Sequence, residues 1–142
     1  MKKGIIRPLV ICIFRNDESI LVAEGYDSVK EDYYYRPIGG GIEYGEKSAE
    51  ALIREVREEI EADIFNLKYL GTVENIFTFS GEVGHEIVQV YDAALIDTFF
   101  YTEELFEGKE DDGKIFKIKR IPIRKFQNGE LRLVPEGLLD LI

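Results

Sequence analysis

The 142 residues contain one cysteine, Cys12, so no intramolecular disulfide can form and the fold must stand on its apolar core. Cys12 lies in the run Leu9-Val10-Ile11-Cys12-Ile13-Phe14 and reads as a small buried hydrophobe. No apolar run approaches the ~18 residues of a membrane-spanning helix. Met1-Lys2-Lys3 leads into a short apolar stretch broken by Pro8, with no small-residue cleavage site. Neither a membrane span nor a secretory leader is expected, which makes the cytoplasm the default location. Positive charge is scarce: 18 Lys and Arg stand against 28 Asp and Glu, a net charge of -10. Such a chain repels duplex nucleic acid and anionic membrane. It can still handle a phosphorylated small molecule if its carboxylates recruit Mg²⁺ or Mn²⁺, so metal ligands are to be sought among the acids.

What is present points to one globular domain over residues 1–142. The content is 45% hydrophobic and 12% aromatic, which excludes a disordered chain. A chain of about 150 residues buries roughly 68–70% of its unfolded surface. Ile5 to Phe14 and Ser19 to Glu24, β-branched and apolar around the polar Arg15-Asn16-Asp17-Glu18, predict a β-hairpin. Asp32 to Ile38 is a further strand, ended by Gly39-Gly40-Gly41, where the backbone can take conformations barred to other residues. Ala49, Leu52, Ile53, Val56 and Ile60 set a helical stripe over Ser48 to Glu61. Leu67 to Phe79 and Glu86 to Ile96 predict strands around a Ser80–Gly84 turn. Thr102 to Leu105 reads as a helix start, Ile115 to Ile123 as a last strand and Glu136 to Ile142 as a C-terminal helix. The order implies an α/β fold with a mixed sheet and helices on both faces. No repeat or linker divides it.

Glu55, Glu58 and Glu59 fall at i, i+3 and i+4 on the predicted helix. At about 100° per residue they spread over about 180–280° from Ala49, opposite the apolar stripe and separate from Arg54 and Arg57. Like charges at this spacing cost a few tenths of a kcal/mol per pair, so the cluster is either a solvated acidic face or a site for a divalent cation.

The wider spacing adds to this. From Gly40, five residues lead to Glu46, and seven more lead to Arg54-Glu55-Val56-Arg57-Glu58-Glu59. The run resembles the signature of the Nudix hydrolase family, GX5EX7REUXEEXGU with U a bulky aliphatic residue. Six fixed identities coincide by chance roughly once in 10⁷ starts at ordinary residue usage. Two positions depart: Glu61 stands where the signature has its last Gly, and Ala62 where it ends on an aliphatic residue. Upstream, Ile38 stands where many members have Pro, with Pro37 one place earlier.

The resemblance implies a Nudix-like α/β/α sandwich that hydrolyses a nucleoside diphosphate linked to another group, NDP-X, to NMP and phospho-X. It implies that Glu58 and Glu59 bind catalytic Mg²⁺ or Mn²⁺ with the carbonyl of Gly39. Glu55 would orient or deprotonate the attacking water or share the metal. Glu46 would assist at the edge of the cluster, and Arg54 would pair with a box carboxylate. Selection of X is expected outside the box, from Tyr33, Tyr34, Tyr35 and Arg36 and from Phe77, Phe79, His85 and Glu86. Aromatic faces could stack a base there, and a guanidinium could meet phosphate. Glu86 is also a candidate metal ligand or base. Glu110-Asp111-Asp112 reads as a solvated loop. The partner expected is a small-molecule nucleoside diphosphate derivative, and a homodimer is left open. The alternative is a catalytically silent Nudix-like domain that binds a nucleotide as sensor or scaffold.

Overall fold

The computed structural model describes residues 4–110 and 112–142. Residues 1–3, which begin the expected domain, and Asp111 of the acidic run lie outside the described residues. The strands are β1 (Ile6–Ile13), β2 (Arg15–Asn16), β3 (Ser19–Asp27), β4 (Asp32–Gly41), β5 (Ile64–Phe79), β6 (Glu82–Leu95), β7 (Leu105–Lys109) and β8 (Ile115–Pro122). The helices are α1 (Ser48–Ile60), α2 (Phe99–Thr102) and α3 (Arg124–Gln127), followed by a 3-10 turn at Leu138–Leu141.

The strands form one mixed sheet in the order β5-β6-β1-β4-β3-β8-β7. β1 and β6 run parallel, and the other ladders are antiparallel. β4 joins the two halves of the sheet: Ile38 to Gly41 pair with β1, whereas Asp32 to Pro37 pair with β3. This corrects the predicted hairpin. Only Arg15–Asn16 folds back on β3, because β1 is flanked on both edges by β4 and β6 and has no edge left for β3.

Each face of the sheet carries its own core. Val10, Cys12, Phe14, Leu21 and Ile38 pack under Leu52, Val56 and Ile60 of α1. On the other face Leu9, Ile11, Ile20, Val22 and Tyr35 pack under Phe126 and Leu138. Period-2 alternation along β1 feeds both cores. The α/β class with a mixed sheet and helical segments on both faces is therefore the observed one, with a substantial helix on one face only.

Several boundaries differ from expectation. α1 stops at Ile60, and Glu61 takes the left-handed cap conformation at φ 52° while its N–H bonds Arg57 O at 3.0 Å. The position needs the geometry of a helix-capping Gly although the residue is Glu. The β5–β6 turn is only Ser80-Gly81, both at positive φ, as a two-residue hairpin requires. The helix expected to start at Thr102 instead ends there, since Phe99 and Phe100 pack on Phe106 of β7. Glu136 to Ile142 holds only the 3-10 turn after Pro135 and Gly137. Gly39, Gly40 and Gly41 belong to β4 and do not use positive φ.

Candidate functional site

The apolar stripe of α1, sunk into the first core, fixes where its acids go. Glu55 is buried, Glu59 half-buried and Glu58 exposed. The Glu55 carboxylate lies against the backbone of Gly40, where any Cβ would run into it. At Gly39 a Cβ would collide with the Val10 carbonyl oxygen of the neighbouring strand, while at Gly41 it would meet nothing within 4 Å. Two of the three glycines are thus demanded by close approach, one to a carboxylate and one to backbone.

Arg54 organises the helix entrance. Its Nε and Nη2 donate to Oε2 and Oε1 of Glu46 at 2.7 and 2.9 Å, and Nη2 also donates to Gly41 O at 2.9 Å. Nη1 donates to Glu55 Oε1 at 3.0 Å and to Glu58 Oε2 at 3.2 Å. The long Arg54 side chain bridges the arc of the helix that separates it from these acids. Glu46 also accepts from the Glu43 N–H at 3.0 Å. The Arg54 hydrogen bonds, with that backbone bond, hold its carboxyl down to about 2.

Glu59 is shifted the other way. Burial, and then the neighbouring Glu55 charge, push its carboxyl up to about 9, with the Arg36 charge opposing. Two carboxyl groups are thus crowded together, Glu55 held by Arg54 and Glu59 only partly offset by the Arg36 charge. Among the described residues, no three His, Cys, Asp or Glu side chains converge into a ready ligand set, and Arg54 draws Glu58 and Glu46 toward itself. The pair Glu55 and Glu59, all hard oxygen donors, fits a divalent cation by donor chemistry and by charge.

Above this pair opens a cavity of about 370 Å³ walled by Gly39 to Gly41, Arg36 and Tyr34. Glu110 and Asp112 also line it, so the acidic loop expected to be merely solvated reaches the cavity. Tyr34 and Arg36 are shared with a second cavity of about 360 Å³, bounded by Phe77, Phe79, Asn75, Lys30 and Arg132. Tyr34 meets Phe79 edge to face, ring centroids 5.7 Å apart. Asp27 also lines this cavity; it accepts from the N–H groups of Val29, Lys30 and Ser80 and so ties the β3–β4 turn to the β5–β6 tip.

The structure brings Gly39, Glu55, Glu59 and Arg36 to one cavity and Phe79 to the adjoining one. Tyr35 is elsewhere: it is 6% exposed, packs on Phe126 in the second core and donates to Glu24 Oε2 at 2.9 Å. Strand alternation puts Tyr34, not Tyr35, on the face of Arg36. Glu86 is buried beside Asn75 and Arg7, 3.5 and 3.9 Å away, and its charge reaches Tyr34. His85 stands on the opposite face of β6, in register with exposed Ile6 and Ile76. Arg132, which lines the second cavity, was not anticipated.

Fold and site together define a class, an α/β domain whose mixed sheet and carboxylate-bearing helix enclose an acidic cleft beside an aromatic one. The chain belongs to the NUDIX family: the NUDIX domain model matches residues 6–140. It is 36% identical over 67 residues to the NAD-capped RNA hydrolase NudC of Vibrio atlanticus (strain LGP32), covering 47% of this chain and 24% of that protein. A NUDIX hydrolase from Nitrosomonas europaea superimposes with TM-score 0.63 at 15% identity, over 96% of this chain and 86% of that one. A nudix hydrolase family member from Chromobacterium violaceum gives TM-score 0.56 at 22% identity, over 99% and 77%. These structures share the fold.

Proposed function

We propose that this chain is a metal-dependent pyrophosphohydrolase that cleaves NDP-X to NMP and phospho-X, with residues 1–142 acting as one Nudix domain. The observation that carries this reading is the Glu55–Glu59 carboxyl pair, with Glu55 set against the backbone of Gly40, lining the cavity that Arg36 also lines. Glu59, Glu58, Glu55 and the carbonyl of Gly39 would hold Mg²⁺ or Mn²⁺. When bound, such a cation neutralises the diphosphate and lowers the pKa of a coordinated water.

The chain's own groups do the rest. Arg54 fixes Glu55 through Oε1, and Glu55 orients the attacking water and takes its proton. Glu46, clamped on both oxygens by Arg54, positions that guanidinium. Arg36, on the wall common to both cavities, meets the charge that develops on phosphate. Tyr34 and Phe79 hold the base or X by ring contact. The NudC relative is an NAD-capped RNA hydrolase, which supports a dinucleotide-like NDP-X.

The test is turnover of a panel of NDP-X compounds with Mg²⁺ or Mn²⁺, before and after Glu58→Gln and Glu59→Gln. Both variants keep side-chain size and lie off the apolar stripe. Each is expected to fold by circular dichroism and lose most activity. Glu55→Gln should lose turnover more than metal affinity. Near-normal turnover in both Gln variants would overturn the metal assignment. Binding without turnover of any compound would favour a silent nucleotide-binding domain.

A further inference from the structure

Lys30, Arg36 and Arg132 all face the aromatic cavity, in a chain of net charge -10. Two carboxylates share its wall: Asp27, which accepts three backbone N–H groups at 2.9, 3.2 and 3.2 Å and is held down further by the Lys30 charge, and Glu136, which is exposed to solvent. Lys30 Nζ donates to Thr78 O at 2.7 Å, which anchors the ammonium and leaves it two further donors.

The arginines sort themselves. Of those half-buried among the described residues, Arg7 and Arg54 reach carboxylates and Arg120 reaches a backbone carbonyl. Among the described residues Arg36 acts on Glu59 by its charge across the carboxylate cavity, whereas the Arg132 side chain reaches neither a carboxylate nor a carbonyl. Arg132 is nevertheless held in place. Its carbonyl accepts the Tyr35 N–H at 2.9 Å, and the Val134 N–H donates to Tyr35 O at 2.8 Å, so its segment is strapped to β4 beside Arg36. A guanidinium kept partly out of water with no counter-ion is unfavourable until a ligand supplies the anion. Arg36 borders the carboxylate cavity as well and serves the diphosphate. Arg132 and Lys30 border only the aromatic cavity.

We infer that the aromatic cavity is a second anion subsite, and that the preferred substrates carry a phosphomonoester in addition to the diphosphate bond that is cleaved. This rests on the reading of the carboxylate cavity as the site of cleavage. The Tyr34, Phe77 and Phe79 rings pack the nucleoside or X moiety, while Arg132, with its bidentate fork, and Lys30 take the extra phosphate.

Two pairs of compounds that differ by one phosphate test it: NADP⁺ against NAD⁺, and coenzyme A against its 3′-dephospho form. The wild-type protein should favour the phosphorylated member in kcat/KM by roughly tenfold or more, the size of one charged hydrogen bond. Arg132→Gln should bring that ratio close to one, and Arg132→Lys should restore part of it. A binding arm needs no turnover: titration calorimetry of adenosine 2′,5′- and 3′,5′-bisphosphate against AMP, on the wild type and Arg132→Gln without metal. Tighter bisphosphate binding lost in the Gln variant supports the subsite even if no compound is hydrolysed, which would count against the proposed activity alone. Equal binding of AMP and both bisphosphates overturns it. So does an Arg132→Gln variant with the wild-type ratio, or one that changes adenine-against-guanine preference instead, which would make Arg132 a reader of the base.

Discussion

Arg54 is the residue whose removal should cost most, and the structure gives the size of the effect. Its guanidinium holds both oxygens of Glu46, one of Glu55, one of Glu58 and the carbonyl of Gly41. Arg54→Ala strands the Glu55 carboxylate, whose side chain is 7% exposed, without this guanidinium. Breaking a buried pair from one side costs about 3–5 kcal/mol. The Arg54 side chain is itself 22% exposed, so the lower end, about 3 kcal/mol, is expected. For a domain of this size that is roughly 10 °C in Tm, within a total stability of about 5–15 kcal/mol, and the variant should still fold. Arg54→Lys keeps the charge but not the fork and should recover less than half of the loss. Thermal and urea melts of the three proteins decide the matter. The acid limb supplies a second readout with its sign fixed. Glu46 is held at about 2, below the usual carboxylate range, so its contribution is present above the unfolded pKa and is lost as pH falls towards about 2. In Arg54→Ala that dependence should shrink. A full rescue by Lys, or an unchanged acid limb in the Ala variant, would refute the hub.

The three glycines of β4 should separate cleanly. Gly39→Ala should give the largest fall in Tm, because the Cβ meets the Val10 backbone. Gly40→Ala should keep the fold and lose most turnover, because it displaces Glu55. Gly41→Ala should match the wild type in Tm. Equal effects at the three positions, by melts and by activity, would overturn the steric assignment. Tyr35→Phe should cost about 1.5–3 kcal/mol for the hydrogen bond to ionised Glu24 and leave substrate ratios unchanged. Tyr35 is pushed up to about 12, chiefly by burial and then by Glu24. The difference between Tyr35 and Phe should therefore be complete below about pH 10, the unperturbed phenol value, and vanish as pH rises through about 12. Tyr34→Ala or Phe79→Ala should instead shift the kcat/KM ratio between two NDP-X substrates, a stacking ring being worth about 1–3 kcal/mol. A ratio shift in Tyr35→Phe as large as in Tyr34→Ala would move Tyr35 into the site.

The sequence alone determined what depends on local spacing. The 3.6 period of Leu52, Val56 and Ile60 set α1 and turned its acids away from the core, and the box from Gly40 to Glu59 brought the family resemblance. The α/β class followed from strands of period two around one strong helix. Only the tertiary structure decided what depends on which strand lies beside which. That β1 is enclosed by β4 and β6, leaving β3 to pair elsewhere, is a long-range choice with no local signature. So is the meeting of Arg132 with Lys30, Arg36 and Phe79, from three separate stretches of chain. Alternation along β4 was present in Tyr33-Tyr34-Tyr35-Arg36, but which face opens to the cleft depends on Phe126 and Leu138 filling the other. The roles of Gly39 and Gly40 were hidden for the same reason: a missing Cβ has meaning only once Val10 and Glu55 occupy the space it would have taken.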